Sequence, residues 1–155
     1  MEEILKQLIK EEEELQFIKF NEDTAWQIGS NLVTQAITDR LPITIDITRG
    51  DHQVFHASRP GTSADNDEWV KRKVRLVYRF GHSSFYIGQL LKSKGKRLEE
   101  AYLISESLYA PNGGCFPILL KGTGVIGTIT VSGLAQEEDH EVVIRAIREY
   151  LKNQG

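Results

Sequence analysis

A lysine interrupts an otherwise apolar helical face at residue 73. At 100° per residue, Trp69, Val70, Val74, Leu76, Val77 and Phe80 share one arc of the segment 67–80, while Lys71, Arg72, Arg75 and Arg79 share the other. Lys73 falls inside the apolar arc, between Trp69 and Val77. An ammonium placed there either snorkels to water or meets a carboxylate, a carbonyl or a ligand. In the second case it is a pocket cation, and Trp69, one turn earlier, is a wall beside it.

The last helical segment carries a similar irregularity. Val143, Ile144, Ile147 and Leu151 define its inner side, and His140 points the same way with Asp139 at the border. These two residues read either as a helix cap with a satisfied core histidine, or as a titratable pair at a helix N-terminus. Ser132-Gly133 lies just upstream, at the end of a strand-like run. Asn112-Gly113-Gly114 precedes another strand and reads as a plain turn or as a nest of backbone amides for an anion. His82 and Ser83 sit at a helix–helix junction, where Ser83 suits a cap. His52 and His56 share one strand face but stand too far apart for joint metal ligation, and no metal-binding spacing is present. No Ser-His-Asp order or nucleophile elbow singles out a catalytic residue.

GTGVIG, with Gly122, Gly124 and Gly127, spells the G-x-G-x-x-G of a dinucleotide loop. That loop requires a helix after it, to offer amides and a favourable dipole to the pyrophosphate. Here Thr128-Ile129-Thr130-Val131 follows, a β-branched run that favours strand. The glycines therefore predict a hairpin turn at 121–124, with a bulge or close backbone contact at Gly127. Pro117, which has no N–H to donate, predicts an edge or bulge in the preceding strand.

These residues need a scaffold, and the rest of the chain describes one. Residues 2–14 read as an amphipathic helix, 15–20 as a short strand or helix end, and 21–40 as a helix stopped by Leu41-Pro42. A hairpin turning at Arg49-Gly50-Asp51 follows, then the loop 59–67 and helices at about 67–80 and 83–93. LEEAYLIS suits helix and strand equally. Strands at 116–121 and 125–132 and a helix at 137–152 close the chain. The pattern predicts an α+β fold: a three-layer α/β/α sandwich, profilin-like or PAS-like, with a largely antiparallel sheet.

The chain of 155 residues suits a single domain able to bury its own core. Cys115 is the only cysteine, which excludes an intrachain disulfide and any CxxC motif. The acidic, amphipathic start is the opposite of a signal peptide, and no apolar run is long enough to span a bilayer. A cytoplasmic protein is expected. Between Glu68 and Glu99 all charged residues are basic, among them Lys71, Arg72, Lys73, Arg75, Arg79, Lys92, Lys94, Lys96 and Arg97. This stretch is either a solvated face or a surface for phosphate, nucleic acid or an acidic protein partner. Aromatic residues are not interleaved with it as single-strand nucleic-acid binding requires.

Two segments resemble a known family. GGCFPILLKGTGVIGTITVSGLAQEEDHEVV (113–143) is similar to the C-terminal signature of the haem-degrading domain family, which includes HbpS-like and GlcG-like proteins. DNDEWVKRKVRLVYRFGHSSF (65–85) resembles a functionally uncharacterised cytosolic branch with bacterial and fungal members. The resemblance implies a profilin-like sandwich and homo-oligomers, with haem bound or degraded in some relatives. Gly113, Gly114, Pro117, Ser132, Gly133 and Asp139 match the common signature, and Trp69, Lys73, His82 and Ser83 match the branch. The expected function is binding of an anionic small organic ligand, haem or a small organic acid. The ligand-binding set is Trp69, Lys73, His82, Ser83, Gly113, Gly114, Ser132, Gly133, Asp139 and His140. Two alternatives stand beside it. One is a haem-degrading enzyme acting through His140 or His82, and the other is an interaction protein docking an acidic partner through residues 71–97.

Overall fold

Strict alternation in TIDITR and TITVS gives the central strands two unlike faces, one of isoleucine and valine and one of threonine, aspartate and serine. In the computed structural model, which describes residues 1–154, the chain runs α1 (Glu2–Glu14), β1 (Gln16–Phe17), α2 (Glu22–Asp39), β2 (Thr44–Arg49) and β3 (His52–Ser58). It continues through α3 (Ala64–Phe80), α4 (Ser84–Lys94), α5 (Leu98–Tyr102), β4 (Cys115–Leu120), β5 (Gly124–Ser132) and α6 (Gln136–Gln154). The strands form one sheet of order β1-β4-β5-β2-β3, antiparallel except where the two residues of β1 run parallel to β4.

Ile45, Ile47, Phe116, Ile118, Ile129 and Val131 point to one face, where α2 and α6 cover them with Ile28, Leu32, Ala36, Val143, Ile144 and Ile147. This is the main core. The opposite face carries Thr44, Asp46, Thr48, Thr128, Thr130 and Ser132, all buried except the half-buried Thr48. Asp46 is satisfied within that face by Thr48 Oγ1 at 2.6 Å, Gln53 Nε2 at 2.6 Å and His56 Nδ1 at 3.0 Å. α3 crosses it, with Val70, Lys73 and Val77 buried beneath. Leu76 of α3 turns away to join Ile87, Leu91 and Leu98 in a second, smaller core with α4 and α5. The three expected layers are present, and one of the two interlayer seams is polar.

Local sequence accounts for the element ends. Asn21 and Thr24 form a reciprocal capping box at α2, and Ser63 with Asn66 does the same at α3. That cap begins α3 at Ala64, three residues before the Asp67 expected from apolar periodicity alone. LEEAYLIS resolves as a five-residue helix followed by irregular chain. GTGVIG is a hairpin: Thr123 N donates to Leu120 O at 3.0 Å, and Gly122 and Gly124 have φ of +79° and +108°. Gly127 lies flat against β2, where a Cβ would stand 2.3 Å from Thr48 O. Pro117 pairs only with Thr128 of β5, because β1 begins its own pairing at Leu119, so the missing N–H costs no strand hydrogen bond at this buried position.

At Gly29 two effects oppose each other. Alanine is favoured over glycine in a helix by about 1 kcal/mol, but a Cβ there would lie 2.5 Å from Cγ of Phe55 on β3. Overpacking of this kind costs roughly 1–3 kcal/mol. Gly29→Ala is therefore expected to lower stability in urea unfolding rather than raise it.

Candidate functional site

Lys73 is buried on α3, and its ammonium donates to Val131 O at 3.2 Å and to Asp139 Oδ2 at 3.3 Å. Asp139 reaches this point from the first turn of α6, on the other side of the sheet. Its carboxylate also accepts from the amides of Leu134 at 2.9 Å and Gly133 at 3.4 Å, closing the turn between β5 and α6. The capping and lysine-binding readings of Asp139 are both realised, by different lone pairs of one carboxylate. Gly114 makes room. A Cβ there would stand 2.6 Å from Lys73 Nζ and 2.3 Å from Val131 O, and its φ of +134° is open to glycine.

Burial pushes the Lys73 ammonium below the usual lysine range, and the Asp139 charge and hydrogen bond only partly restore it. Burial likewise raises the Asp139 carboxyl, against the pull of Lys73 and of the Leu134 and Gly133 amides. Each partner is thus moved toward its neutral form. A lysine ammonium has three donors, and two of them are engaged within the protein.

The pair forms the floor of a cavity of about 340 Å³ at the junction of α3, β5 and α6. Trp69, Lys73, Ser132, Gly133 and Asp139, five of the residues expected at a site, line it together. Gly114 lies directly behind Lys73. Gly113 is buried beside it, but its amide donates to Gln136 Oε1 at 3.0 Å, and the Cys115 amide donates to Ser84 Oγ at 3.1 Å. Side chains occupy those amides, so the glycine turn is not an open anion nest. Asp65, Asn66, Asn112, Leu134 and Gln136 complete the lining. Of these, sequence reasoning singled out only Asn112, in the Asn112-Gly113-Gly114 turn, although the capping box that holds Asn66 was readable in Ser63–Asn66.

His82, Ser83 and His140 lie elsewhere, against α1. Glu12 accepts from the Ser83 amide at 3.1 Å and stands 2.8 Å from His82 Nδ1. Glu11 meets His140 Nε2 at 3.0 Å, while the His140 ring stacks near Phe85 with centroids 4.8 Å apart. Both glutamates are buried. These three residues fasten the N-terminal helix and do not touch the cavity. Ser83 also caps α4 through Tyr86 N at 3.1 Å, as its position predicts. His52 and His56 lie on β3, and no cluster among the described residues has the makings of a metal site.

Most of the basic stretch is engaged internally. Lys71 pairs with Glu68 at 2.9 Å, Arg72 donates to Glu106 O at 2.6 Å, and Arg75 donates to Leu108 O at 3.2 Å. Lys73 is buried, while Lys71, Arg75 and Arg79 stay exposed along one side of α3.

Two measurements test this reading. Removing one member of a buried pair strands the other, at a cost of roughly 3–5 kcal/mol. Lys73→Met is expected to show that loss in urea unfolding. Adding Asp139→Asn should recover most of it, since the amide removes the stranded charge and can still accept from Leu134 N. A double variant no more stable than Lys73→Met would show that the two residues act separately. The second concerns α1. The hydrogen bond and charge of Glu12 raise the His82 pKa above its ordinary value of 6.5, against the opposing effect of burial. The stabilisation is complete below the unfolded value and is lost as pH rises through the higher folded one. Hydrogen exchange in α1, corrected for intrinsic rate, should accelerate across that interval, and His82→Gln should remove the dependence.

Comparison with known proteins agrees with this architecture. The family described as "Haem degrading protein HbpS-like" matches residues 20–148. A UPF0303 protein of Streptomyces coelicolor is 42% identical over 145 residues, covering 94% of this chain and 92% of its own. The crystal structure of the Ybr137w protein superposes with a TM-score of 0.90 at 30% identity, covering 97% of this chain and 88% of that one. A PduOC–haem complex shares the fold with a TM-score of 0.66 at 18% identity, covering 84% and 92%. The chain with the Lys73–Asp139 pair between its layers belongs to the HbpS-like family, within the UPF0303 group.

Proposed function

We propose that this protein binds a small anionic organic molecule, with the hydrogen-bonding head of the ligand seated in the α3/β5/α6 cavity. The observation that carries this is the Lys73 ammonium, buried at the floor of that cavity with two of its three donors engaged. A carbonyl or carboxyl oxygen of a ligand completes its shell. Around it, Asn66, Asn112, Gln136 and Ser132 offer amide and hydroxyl groups, and Trp69 offers a flat apolar wall. A buried ion pair contributes little net stability compared with apolar packing, so a binding role accounts for its place at an open cavity better than stability alone.

Haem does not fit this cavity. Haem iron needs an axial histidine, cysteine, methionine or tyrosine, and the lining contains none of these. His82 and His140 are held by Glu12 and Glu11. A small organic acid matches the lining better, and no haem-degrading step is assigned to the site.

The same reading places the protein in the cytosol as a homo-oligomer. Supporting the first, Cys115 is the single cysteine and leaves the chain without an intrachain disulfide, as is usual in a reducing compartment. No helix among the described residues is long and apolar enough to cross a membrane. Supporting the second, β3 is a seven-residue edge strand without proline or lysine, flanked by Trp26, which is 67% exposed and packs on Phe55 at 5.9 Å. Edges of that kind are usually covered.

Native mass spectrometry of the protein purified from its host tests the proposal. The expected spectrum shows an oligomer carrying a small-molecule mass excess per chain. Trp69→Ala should lose that excess while keeping the far-ultraviolet circular dichroism of the parent. Masses equal to the bare chain in the parent protein would overturn the binding reading.

A further inference from the structure

A second cavity of about 420 Å³ lies between α3, α4 and α5, and it shares Trp69 and Asn112 with the first. Their charges differ in sign. The α3/β5/α6 cavity sets Lys73 against Asp65 and Asp139, whereas the second sets Arg72, Lys92, Lys96 and Arg97 against Glu106 alone.

The cations are not equally committed. Arg72 gives Nε and Nη2 to Glu106 O at 3.1 and 2.6 Å, with its guanidinium 4.5 Å from the centre of the Trp69 ring. Arg97 stands 3.5 Å from Glu106 and 3.9 Å from Glu99. Lys92 and Lys96 form no ion pair among the described residues. Lys92 belongs to the last turn of α4, where a cation suits the helix dipole. Lys94, in the same turn, does not line the cavity, so the lining selects particular lysines from a generally basic turn. The floor is buried Leu91 and Leu98, and Gly88 lets the Pro111 backbone close against α4 as one wall, because a Cβ there would stand 2.2 Å from Pro111 O.

We infer that this α4/α5 cleft is the anion subsite of the ligand site. It takes a multiply charged oxyanion, a phosphate ester or a di- or tricarboxylate, while the uncharged part of the same ligand crosses Trp69 into the α3/β5/α6 cavity. The inference rests on the binding reading above and answers a difficulty within it. Asp139 already offsets the charge of Lys73, so the first cavity can seat a carbonyl but has no surplus cation for a free anion. The surplus lies next door, at Lys92 and Lys96.

The test uses the full chain with Trp26→Phe, which leaves Trp69 as the only tryptophan, and two probes, inorganic pyrophosphate and citrate, at constant ionic strength. At least one probe is expected to change Trp69 emission saturably. Lys92→Gln/Lys96→Gln should weaken that binding by roughly tenfold or more, the effect of about 1.4 kcal/mol. Lys94→Gln, which removes a neighbouring charge outside the cleft, should leave it within roughly twofold. Saturation by pyrophosphate alone assigns a phosphate ester, saturation by citrate alone assigns a polycarboxylate, and saturation by both assigns a subsite that reads charge. Absence of saturation with both probes overturns the inference, as does equal weakening by Lys94→Gln, which would reduce it to the general field of a basic turn. Either failure leaves the retained-mass experiment on the first cavity unaffected, so the two readings fall separately.

Discussion

One ion pair joins the three layers. Lys73 comes from the helix on the polar face of the sheet, Asp139 from the helix on the apolar face, and they meet around the end of β5. The junction exists because Gly114 has no side chain to stand in it and because Val131 turns its carbonyl toward the ammonium. Desolvating two charges costs several kcal/mol per ion, and their attraction recovers that only with good additional hydrogen bonds. Here the carboxylate has the Gly133 and Leu134 amides and the ammonium has a carbonyl. The pair therefore contributes registry more than net stability. It sets how far α3 slides along the sheet and where α6 begins, and those two placements define the walls of the cavity.

Stability and site are built on opposite faces of one sheet. The isoleucine-rich face under α2 and α6 supplies the apolar burial that drives folding. The other face buries threonine, serine and aspartate and satisfies much of that polarity within the sheet, as at Asp46. A polar seam of this kind gives α3 a weaker apolar hold on the sheet. The helix compensates on its far side, where Leu76 packs into the small core of α4 and α5. That arrangement leaves the N-terminal half of α3 free to present Asn66, Trp69 and Lys73 to a cavity.

The fold was legible because its signals are local. Caps, β-branched runs and hairpin glycines each act over a few residues, and they specified the helices, the two hairpins and the antiparallel sheet. Lys73 was legible for a related reason: a charge breaking a helical apolar arc shows in one turn of sequence. The attachment of α1 was not. Glu11 and Glu12 stand in the run EEEE, which reads as a solvated face, and their partners His140 and His82 are 129 and 70 residues away. The inward-pointing His140 and the junction residue His82 are therefore expected at the site, because nothing nearby in the chain shows that distant carboxylates claim them. The length of the basic stretch misled in the same way. Its α3 part is engaged by Glu68, by carbonyls of the 106–108 loop and by the buried pair, whereas Lys92 and Lys96 form no ion pair among the described residues.

α1 lies outside the matched family segment, which begins at residue 20, yet it cannot be a loose addition. Without Glu11, the buried imidazole of His140 would have no polar partner on either nitrogen among the described residues, because Nδ1 has none there. An unsatisfied buried polar group costs about 1–3 kcal/mol, and His140 stands on α6 immediately after Asp139. The attachment of α1 and the position of the Lys73 partner thus meet at the first turn of one helix.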